Sequence, residues 1–436
     1  LMRGRLSERG LLLIIGTIQF VNVLDFMMVL PLGPDFAGAL GIPVSRLGLV
    51  GGSYTAAAAL SGILGAVVLD RFDRRRALAV ALGGLALGTL AGAFAGSLAS
   101  MVAARVLAGA FGGPTAALSL AVVGDVVPPE RRGRAMGAVM GAFAVSSVLG
   151  VPAALELARL GSWRLTFFAV SALGAAVAAG AFALLPPLPR HLEARPGARP
   201  GAGRFLLRPA VTLALLAIAA LMTAQFALVP NIAAFWQFNL GYPRERLGLL
   251  FIAGGAASFA GMRVAGWLAD RLGAALTTAG ATALYVVAVL AAFVLPPTAS
   301  PLVLFVGFMV ASSARMVPLQ ALSTRLPEPE QRARFMSAQS AVQHLGAAAG
   351  AFLGAGLLRQ LPDGRLAGMD GVAWLAVALA ATVPGISWLV ERGVRRRERR
   401  DREARAARAA THDALACDPG AAAGERSPIP RRLASG

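Results

Sequence analysis

Twelve runs of about 20 predominantly apolar residues, the length an α-helix needs to cross a ~30 Å hydrocarbon core, follow one another along this 436-residue chain. The first six are Leu11–Leu32, Leu47–Leu69, Ala77–Gly96, Met101–Val123, Ala135–Leu157 and Leu165–Leu185. The second six are Ala210–Pro230, Leu247–Ala269, Ala275–Leu295, Pro301–Leu322, Phe335–Leu358 and Gly371–Val390. In lipid every backbone polar group needs an internal partner, which leaves only helices and closed barrels. Period-two alternation is absent, so the expectation is an all-α integral membrane protein rather than a barrel. Composition agrees: 57% of residues are hydrophobic and 14% charged, against roughly a quarter charged in soluble domains. The single cysteine, Cys417, excludes a disulfide scaffold.

The scarce charge is lopsided, and all 41 basic residues are arginine. A net charge of +19 would point to nucleic acid only if a polar surface carried it. With the amino terminus in the cytoplasm, 31 arginines fall on cytoplasmic segments, 7 on outer loops and 3 (Arg105, Arg263, Arg315) inside spans. The positive-inside rule therefore places both termini in the cytoplasm, with the spans in a bacterial plasma membrane. The basic amino-terminal segment is similar to a signal peptide, but the run that follows is too long and carries Asp25, so it reads as a retained span. The resulting organisation is a cytoplasmic segment 1–10, a six-helix bundle 11–185, a Pro/Gly-rich cytoplasmic linker 186–209, a second six-helix bundle 210–390, and a basic tail 391–436. The first part of that tail is expected to form a short solvated helix and the rest to be disordered.

Offset by 200, the two halves match. Asp25-Phe26-x-x-Val29 aligns with Gln225-Phe226-x-x-Val229, Asp70-Arg71 with Asp270-Arg271, and Pro129-Glu130-x-Arg132-x-Arg134-x-Met136 with Pro329-Glu330-x-Arg332-x-Arg334-x-Met336. Six spans per repeat give both halves one orientation, the parallel-repeat plan of a transporter whose site lies between two pseudo-symmetric bundles near the midplane. Gly266-Trp267-Leu268-Ala269-Asp270-Arg271-Leu272-Gly273 resembles the G-x-L-A-D-R-x-G loop signature of the major facilitator superfamily. The first-half copy keeps Asp70 and Arg71 but has Ala66 and Asp73 in place of the glycines. Arg105-Val106-Leu107-Ala108-Gly109 is similar to the family's fourth-span motif, with Ala108 where glutamine is usual. Gly150-Val151-Pro152 resembles a shortened antiporter motif, and Trp163-Arg164-x-x-Phe167 the junction before the sixth span of bacterial drug and metabolite exporters. The resemblance covers roughly residues 10–390. It implies a monomeric transporter, with Asp70, Arg71, Arg74, Arg75, Gly266, Asp270, Arg271 and Gly273 in the gating loops. Gly109, Gly112, Gly150 and Pro152 would serve helix packing.

Asp25 is a carboxylate deep in a span, a costly placement that reads as functional. Counting from the span ends puts Asp25 and Arg105 at matched depth in the outer third of the membrane. Burial and a neighbouring guanidinium act on a carboxylate's protonation in opposite senses. A motion that parts or joins the two can therefore load and release a proton; a permanent Asp–Arg lock is the competing reading. Gln225 stands uncharged at the Asp25 position of the second half, so proton coupling is expected from one half only. Candidate cavity residues are Asn22, Met28, Tyr54, Gln225, Asn231, Phe235, Arg315, Gln343 and His344, and Arg263 is expected to join the Asp270 cluster.

No H-E-x-x-H, C-x-x-C or G-x-x-x-x-G-K-[ST] motif occurs, so neither a metal, an enzymatic cofactor nor ATP is expected, and the energy source is the proton gradient. The reading is secondary active transport: antiport of protons against amphipathic drugs or metabolites, and so efflux and multidrug resistance. Proton-coupled import of a small metabolite, and a non-transporting sensor on the same fold, are the alternatives. Protons, a small-molecule substrate and the bilayer are the expected partners, with no nucleic acid.

Overall fold

The computed structural model describes residues 7–68, 72–128, 131, 135–137, 139, 141–187, 205–296, 299–328 and 331–416. Twelve long helices are described, one for each apolar run. In the first half they are α1 (Glu8–Leu40), α2 (Leu47–Val68), α3 (Arg74–Ala93), α4 (Leu98–Val126), α5 (Ala135–Leu160) and α6 (Trp163–Leu184). In the second half they are α7 (Pro209–Asn239), α8 (Leu247–Leu272), α9 (Ala274–Phe293), α10 (Pro301–Ser323), α11 (Arg332–Leu357) and α12 (Met369–Ala416). They form two six-helix bundles. All but α11 are long and apolar enough to cross a membrane by themselves.

Helix ends follow packing and capping rather than hydropathy. Ser7 opens α1 by accepting from the Gly10 N–H at 3.1 Å. The helix runs past the expected Leu32 to Leu40, because Gly33, Phe36 and Ala37 are buried against the rest of the bundle. It stops at Gly41, whose φ of +63° is the left-handed cap that glycine adopts without steric cost. Gly241, at offset 200, has the same φ of +63°. Each glycine is followed two residues later by a proline and then a 3-10 turn, Val44–Arg46 or Arg244–Arg246, that opens the next helix. The repeat is thus present in backbone geometry as well as sequence.

Prolines explain the irregular turns. Pro152 has no N–H to give the Val148 carbonyl and its ring crowds that carbonyl. The widened π-turn Ser146–Gly150 lies directly before Val151–Pro152. Pro230 likewise falls in a 3-10 turn, Val229–Asn231, within α7. The charged tail continues α12 as one helix to Ala416, well beyond the short helix expected after Val390. The end of α11 and the start of α12 are joined by a two-stranded hairpin, β1 (Arg359–Gln360) and β2 (Leu366–Ala367). Most of the linker, the far end of the tail, and the acid of the Pro-Glu-x-Arg repeat lie outside the described residues.

The helix that falls short of the others in apolar length, α11, packs against both halves. A Cβ at Gly48 of α2 would meet the Ala351 carbonyl oxygen at 2.3 Å, and one at Gly350 would meet the Thr223 carbonyl oxygen at 2.3 Å. Backbones this close admit only glycine, and α11 is gripped by α2 on one side and α7 on the other. Buried apolar residues then divide by end. Towards the α1–α2 turn they merge into one core drawn from both halves, including Leu32, Phe36, Leu47, Phe167, Trp236, Leu247, Phe293 and Leu358. Towards the end bearing both termini they separate into clusters that belong to one half each. Among the described residues, the halves share a buried apolar core at the first end and none at the second.

Candidate transport site

Asp25 and Arg105 meet. The guanidinium clamps the carboxylate with both terminal nitrogens, Nη1 to Oδ1 at 3.1 Å and Nη2 to Oδ2 at 3.0 Å. Asp25 is 0% exposed and Arg105 1%. A residue absent from the candidate set completes the carboxylate's shell: the Thr89 hydroxyl of α3 donates to Oδ1 at 2.6 Å while also reaching its own Leu85 carbonyl at 2.9 Å. Nothing in the sequence marks Thr89, because only packing brings α3 against α1. Tyr54 lies beneath the guanidinium, with Cζ 4.6 Å from its ring centre, and its hydroxyl approaches Asn22 Oδ1 at 3.5 Å. Two of the helix-packing glycines make this assembly possible. A Cβ at Gly109 would strike the Tyr54 carbonyl oxygen at 2.2 Å, and one at Gly112 the Tyr54 hydroxyl at 2.2 Å. Gly150 faces Leu24, next to Asp25, where a Cβ would meet Cδ1 at 2.8 Å.

The repeat partners Phe26 and Phe226 meet across the interface, their ring centres 5.9 Å apart and their planes tilted by 37°, and Phe26 also packs on Tyr54 at 5.3 Å. Equivalent residues of the two halves thus meet beside the charged pair. Gln225 is half-buried next to Phe226. Among the other cavity candidates, Met28 is fully buried in the shared core, and Phe235 packs on Trp236 and Phe293. Asn231 is fully buried, with neither side-chain polar atom hydrogen-bonded. Gln343 and His344 are half-buried on α11, where the His344 Nδ1 bonds the Ser340 carbonyl one turn back at 2.8 Å. Arg315 is fully buried in the second half, stacked on Tyr285 with Cζ 3.3 Å from the ring centre.

The gating loops differ from expectation. Asp70 and Arg71 lie outside the described residues. Arg74 reaches across to Asp125 at the end of α4, Nε to Oδ2 at 2.6 Å, and Arg75 donates to the Leu185 carbonyl at 3.2 Å while covering the Phe182 ring. In the second half Arg271 stacks on Trp267, four residues earlier on its own helix, at 4.1 Å; Asp270 is exposed and has no ion pair among the described residues. Arg263 does not join Asp270 but covers Phe259, four residues back, at 5.4 Å. Both arginines choose an aromatic one turn away, a contact that needs no second element. Gly266 makes no tight approach, with Val317 Cγ1 at 3.7 Å the nearest atom to a Cβ there. Gly273 is the one that turns, at φ +89° against Glu391 and Arg395.

The end with the shared core carries a cross-half latch that the sequence reading did not pair. Arg244 grips Asp35 with two nitrogens, Nε to Oδ1 at 2.7 Å and Nη2 to Oδ2, and each side chain is 24% exposed. Gln360 on the hairpin accepts the Val44 N–H at 2.8 Å, and Asn239 ties the hairpin to α7 through both the N–H and the carbonyl of Leu366. Asp35 and Arg244 sit near span ends, where charge is ordinary, and no spacing pairs them.

This architecture is two six-helix bundles with a buried charged pair inside the first. The model of the Major Facilitator Superfamily matches residues 15–351, and the chain belongs to that family. It is a multi-pass membrane protein. It is 29% identical over 249 residues to the chloramphenicol resistance protein of Streptomyces lividans, 57% of this chain and 63% of that one. It is 25% identical over 246 residues to the inner membrane transport protein YdhP of Escherichia coli (strain K12), 55% of this chain and 62% of that one. The matches thus span under two thirds of these relatives' length. In fold it is similar to a bacterial homolog of the human lysosomal transporter Spinster in an inward-facing, unoccupied conformation, at TM-score 0.69 and 19% identity over 88% of this chain and 96% of that one. The D-xylose-proton symporter gives TM-score 0.67 at 17% identity over 86% and 96%.

Proposed function

We propose that the protein is a proton-coupled secondary exporter of amphipathic drugs or metabolites, working by alternating access in the bacterial inner membrane with both termini in the cytoplasm. The observation that carries the reading is the Asp25–Arg105–Thr89 assembly, a single ionisable carboxylate sealed at the junction of α1, α3 and α4. With the termini inside, the end without a shared core faces the cytoplasm and the latched end faces out, which is the state that admits cargo from within. Opening outward requires breaking Asp35–Arg244 and withdrawing the hairpin from Val44. Protonation of Asp25 neutralises it and frees Arg105. Because both residues belong to the first bundle, a change in their pairing alters how α1 and α4 pack without breaking the interface itself. The protein requires no cofactor on this reading, and it functions as a monomer. The name of the Streptomyces relative, chloramphenicol resistance, supports efflux over import.

The test is proton flux in proteoliposomes carrying an internal pH dye, screened with amphipathic compounds including chloramphenicol, with Asp25→Asn as control. Compound-driven flux that is abolished by Asp25→Asn is expected. Flux of equal size in that variant removes the coupling mechanism, and whole-cell accumulation that falls when the gene is deleted removes export.

A further inference from the structure

We infer that Arg315 is an anion-recognition residue, and that the cargo class of this transporter includes compounds carrying a carboxylate or an equivalent single negative charge. The inference deepens the transport reading above and rests on it. Arg315 is 0% exposed in α10, and none of its three guanidinium nitrogens has a hydrogen-bond partner. Its one close neighbour of note is the Tyr285 ring, whose hydroxyl is committed to the Ala224 carbonyl at 3.2 Å. Arginine does not deprotonate in proteins, so its charge cannot be removed the way a buried lysine's can. A charge in this position needs an anionic partner during at least part of the cycle.

The chain does not supply that partner. The six spans of the second half contain no Asp or Glu at all between residues 210–230, 247–269, 275–295, 301–322, 335–358 and 371–390. The deep carboxylate of the first half, Asp25, is fully engaged by Arg105 and Thr89. The membrane interior therefore carries one more buried guanidinium than it can neutralise, and that guanidinium lies in the half without a proton-coupling acid.

Two buried hydroxyls on the helix faces that bring Tyr285 and Arg315 together are also without a partner. Ser312 is three residues before Arg315 on the same helix face, buried, with an unpartnered hydroxyl. Thr282 is three residues before Tyr285 on α9, also buried and unpartnered. Since Tyr285 touches Arg315, these faces of α9 and α10 are turned towards one another, and their free groups are all able to donate. Arg315 is eight residues from Ser323, about 12 Å along the helix from the end at which the halves share no core. A cytoplasmic anion thus approaches along α10 from that side, and the long arginine stem carries the guanidinium off the Tyr285 ring to meet it. Division of labour follows: the first half carries the proton and the second half senses the charge of the cargo.

The test uses the full chain purified in detergent and follows thermal unfolding and isothermal calorimetry with matched probes at constant ionic strength. The probes are benzoate and salicylate, their uncharged counterparts benzamide and salicylamide, and nitrate as a small inorganic anion. Expected is stabilisation by the two carboxylates but not the amides, with an affinity that drops about tenfold or more in Arg315→Gln, the usual scale for losing hydrogen bonds to a charged group. Arg315→Lys should fall between the two, keeping the charge but not the fork. Without ligand, Arg315→Met should melt at or above the wild-type temperature, because an unpaired buried charge has been removed. If the arginine were only a structural clamp on Tyr285, that variant would melt lower. Nitrate binding as tightly as benzoate assigns the site to an inorganic anion and overturns the cargo assignment. Carboxylates that bind no better than amides, or that bind Arg315→Gln undiminished, overturn the inference altogether. Compound-driven proton flux that persists in the wild type under any of these results leaves the transport reading standing, so the two failures are distinguishable.

Discussion

Asp25→Asn is the substitution on which the mechanism turns, and the structure fixes what it should cost. The change removes the charge that two guanidinium nitrogens grip at 3.0 and 3.1 Å, while leaving an oxygen that Thr89 can still donate to. Arg105, 1% exposed, is left charged without a counter-charge. Breaking a buried pair from one side costs about 3–5 kcal/mol. The Tyr54 ring 4.6 Å below the guanidinium, and the retained amide oxygen, offset about 1 kcal/mol of that. The net loss of roughly 2–4 kcal/mol corresponds to a melting point lower by about 4–16 °C at roughly 2–4 °C per kcal/mol. Reduced abundance therefore does not by itself distinguish a proton switch from a permanent lock, since both lose the pair. The separating variant is Asp25→Leu with Arg105→Met. It leaves no orphaned charge, and Thr89 keeps its bond to Leu85. Replacing a whole buried ion pair by apolar residues is often neutral or stabilising, so this double variant should melt within a few degrees of the wild type. In proteoliposomes it should nevertheless show no compound-driven proton flux. Proton-coupled transport by the double variant would refute the assignment of Asp25 as the coupling group, and an unchanged melting point in Asp25→Asn would refute the energetics.

Three further outcomes can be checked separately. Arg244→Ala breaks a two-pronged, quarter-exposed contact, for which about 1–2 kcal/mol is the reasonable scale between exposed and buried pairs; this should raise labelling of a cysteine placed at the buried Val44 about 5- to 30-fold, and a charge-swapped Asp35→Arg, Arg244→Asp protein should restore the wild-type rate. Gly350→Leu drives side-chain atoms into the Thr223 carbonyl oxygen, 2.3 Å from where even a Cβ would stand, and should cost at least about 1–3 kcal/mol of overpacking strain, read as lost folded protein by size-exclusion chromatography; full stability would contradict the close α7–α11 packing. Gly273→Ala places a Cβ at φ +89° and 2.8 Å from Glu391 Oε1, which also accepts from Arg395 while its companion oxygen receives the Ala275 N–H at 2.7 Å. A drop of roughly 1–2 kcal/mol is expected from strain of this kind, measured as a lower melting point, whereas Gly266→Ala, with nothing closer than 3.7 Å, should be neutral.

Much of the fold was legible because it is imposed by the solvent. Lipid demands long apolar runs and closed backbone hydrogen bonding, so the spans, their number and their repeat could all be read along the chain. The depth of Asp25 and Arg105 followed from helical rise, since the rise is nearly constant. The limits were equally physical. The run at Phe335–Leu358 is interrupted by Gln339, Gln343 and His344, yet α11 is held between α2 and α7 by glycines whose backbones touch theirs. Arg263 and Arg271 were assigned to acids by proximity in sequence, yet each settled on an aromatic one turn back.

The sequence by itself determined the class of fold, the family, the even number of spans per half and the position of a carboxylate where none is tolerated without purpose. Only the tertiary structure decided which groups touch: Thr89 on Asp25, Asp35 on Arg244, Phe26 against Phe226, and Arg315 on a ring instead of an acid. The reason is that hydrophobic run length and helical rise are local quantities, written into consecutive residues. A contact between helices depends on rotation about each axis and on which backbones glycine allows to approach, and those are settled only when all twelve helices pack together.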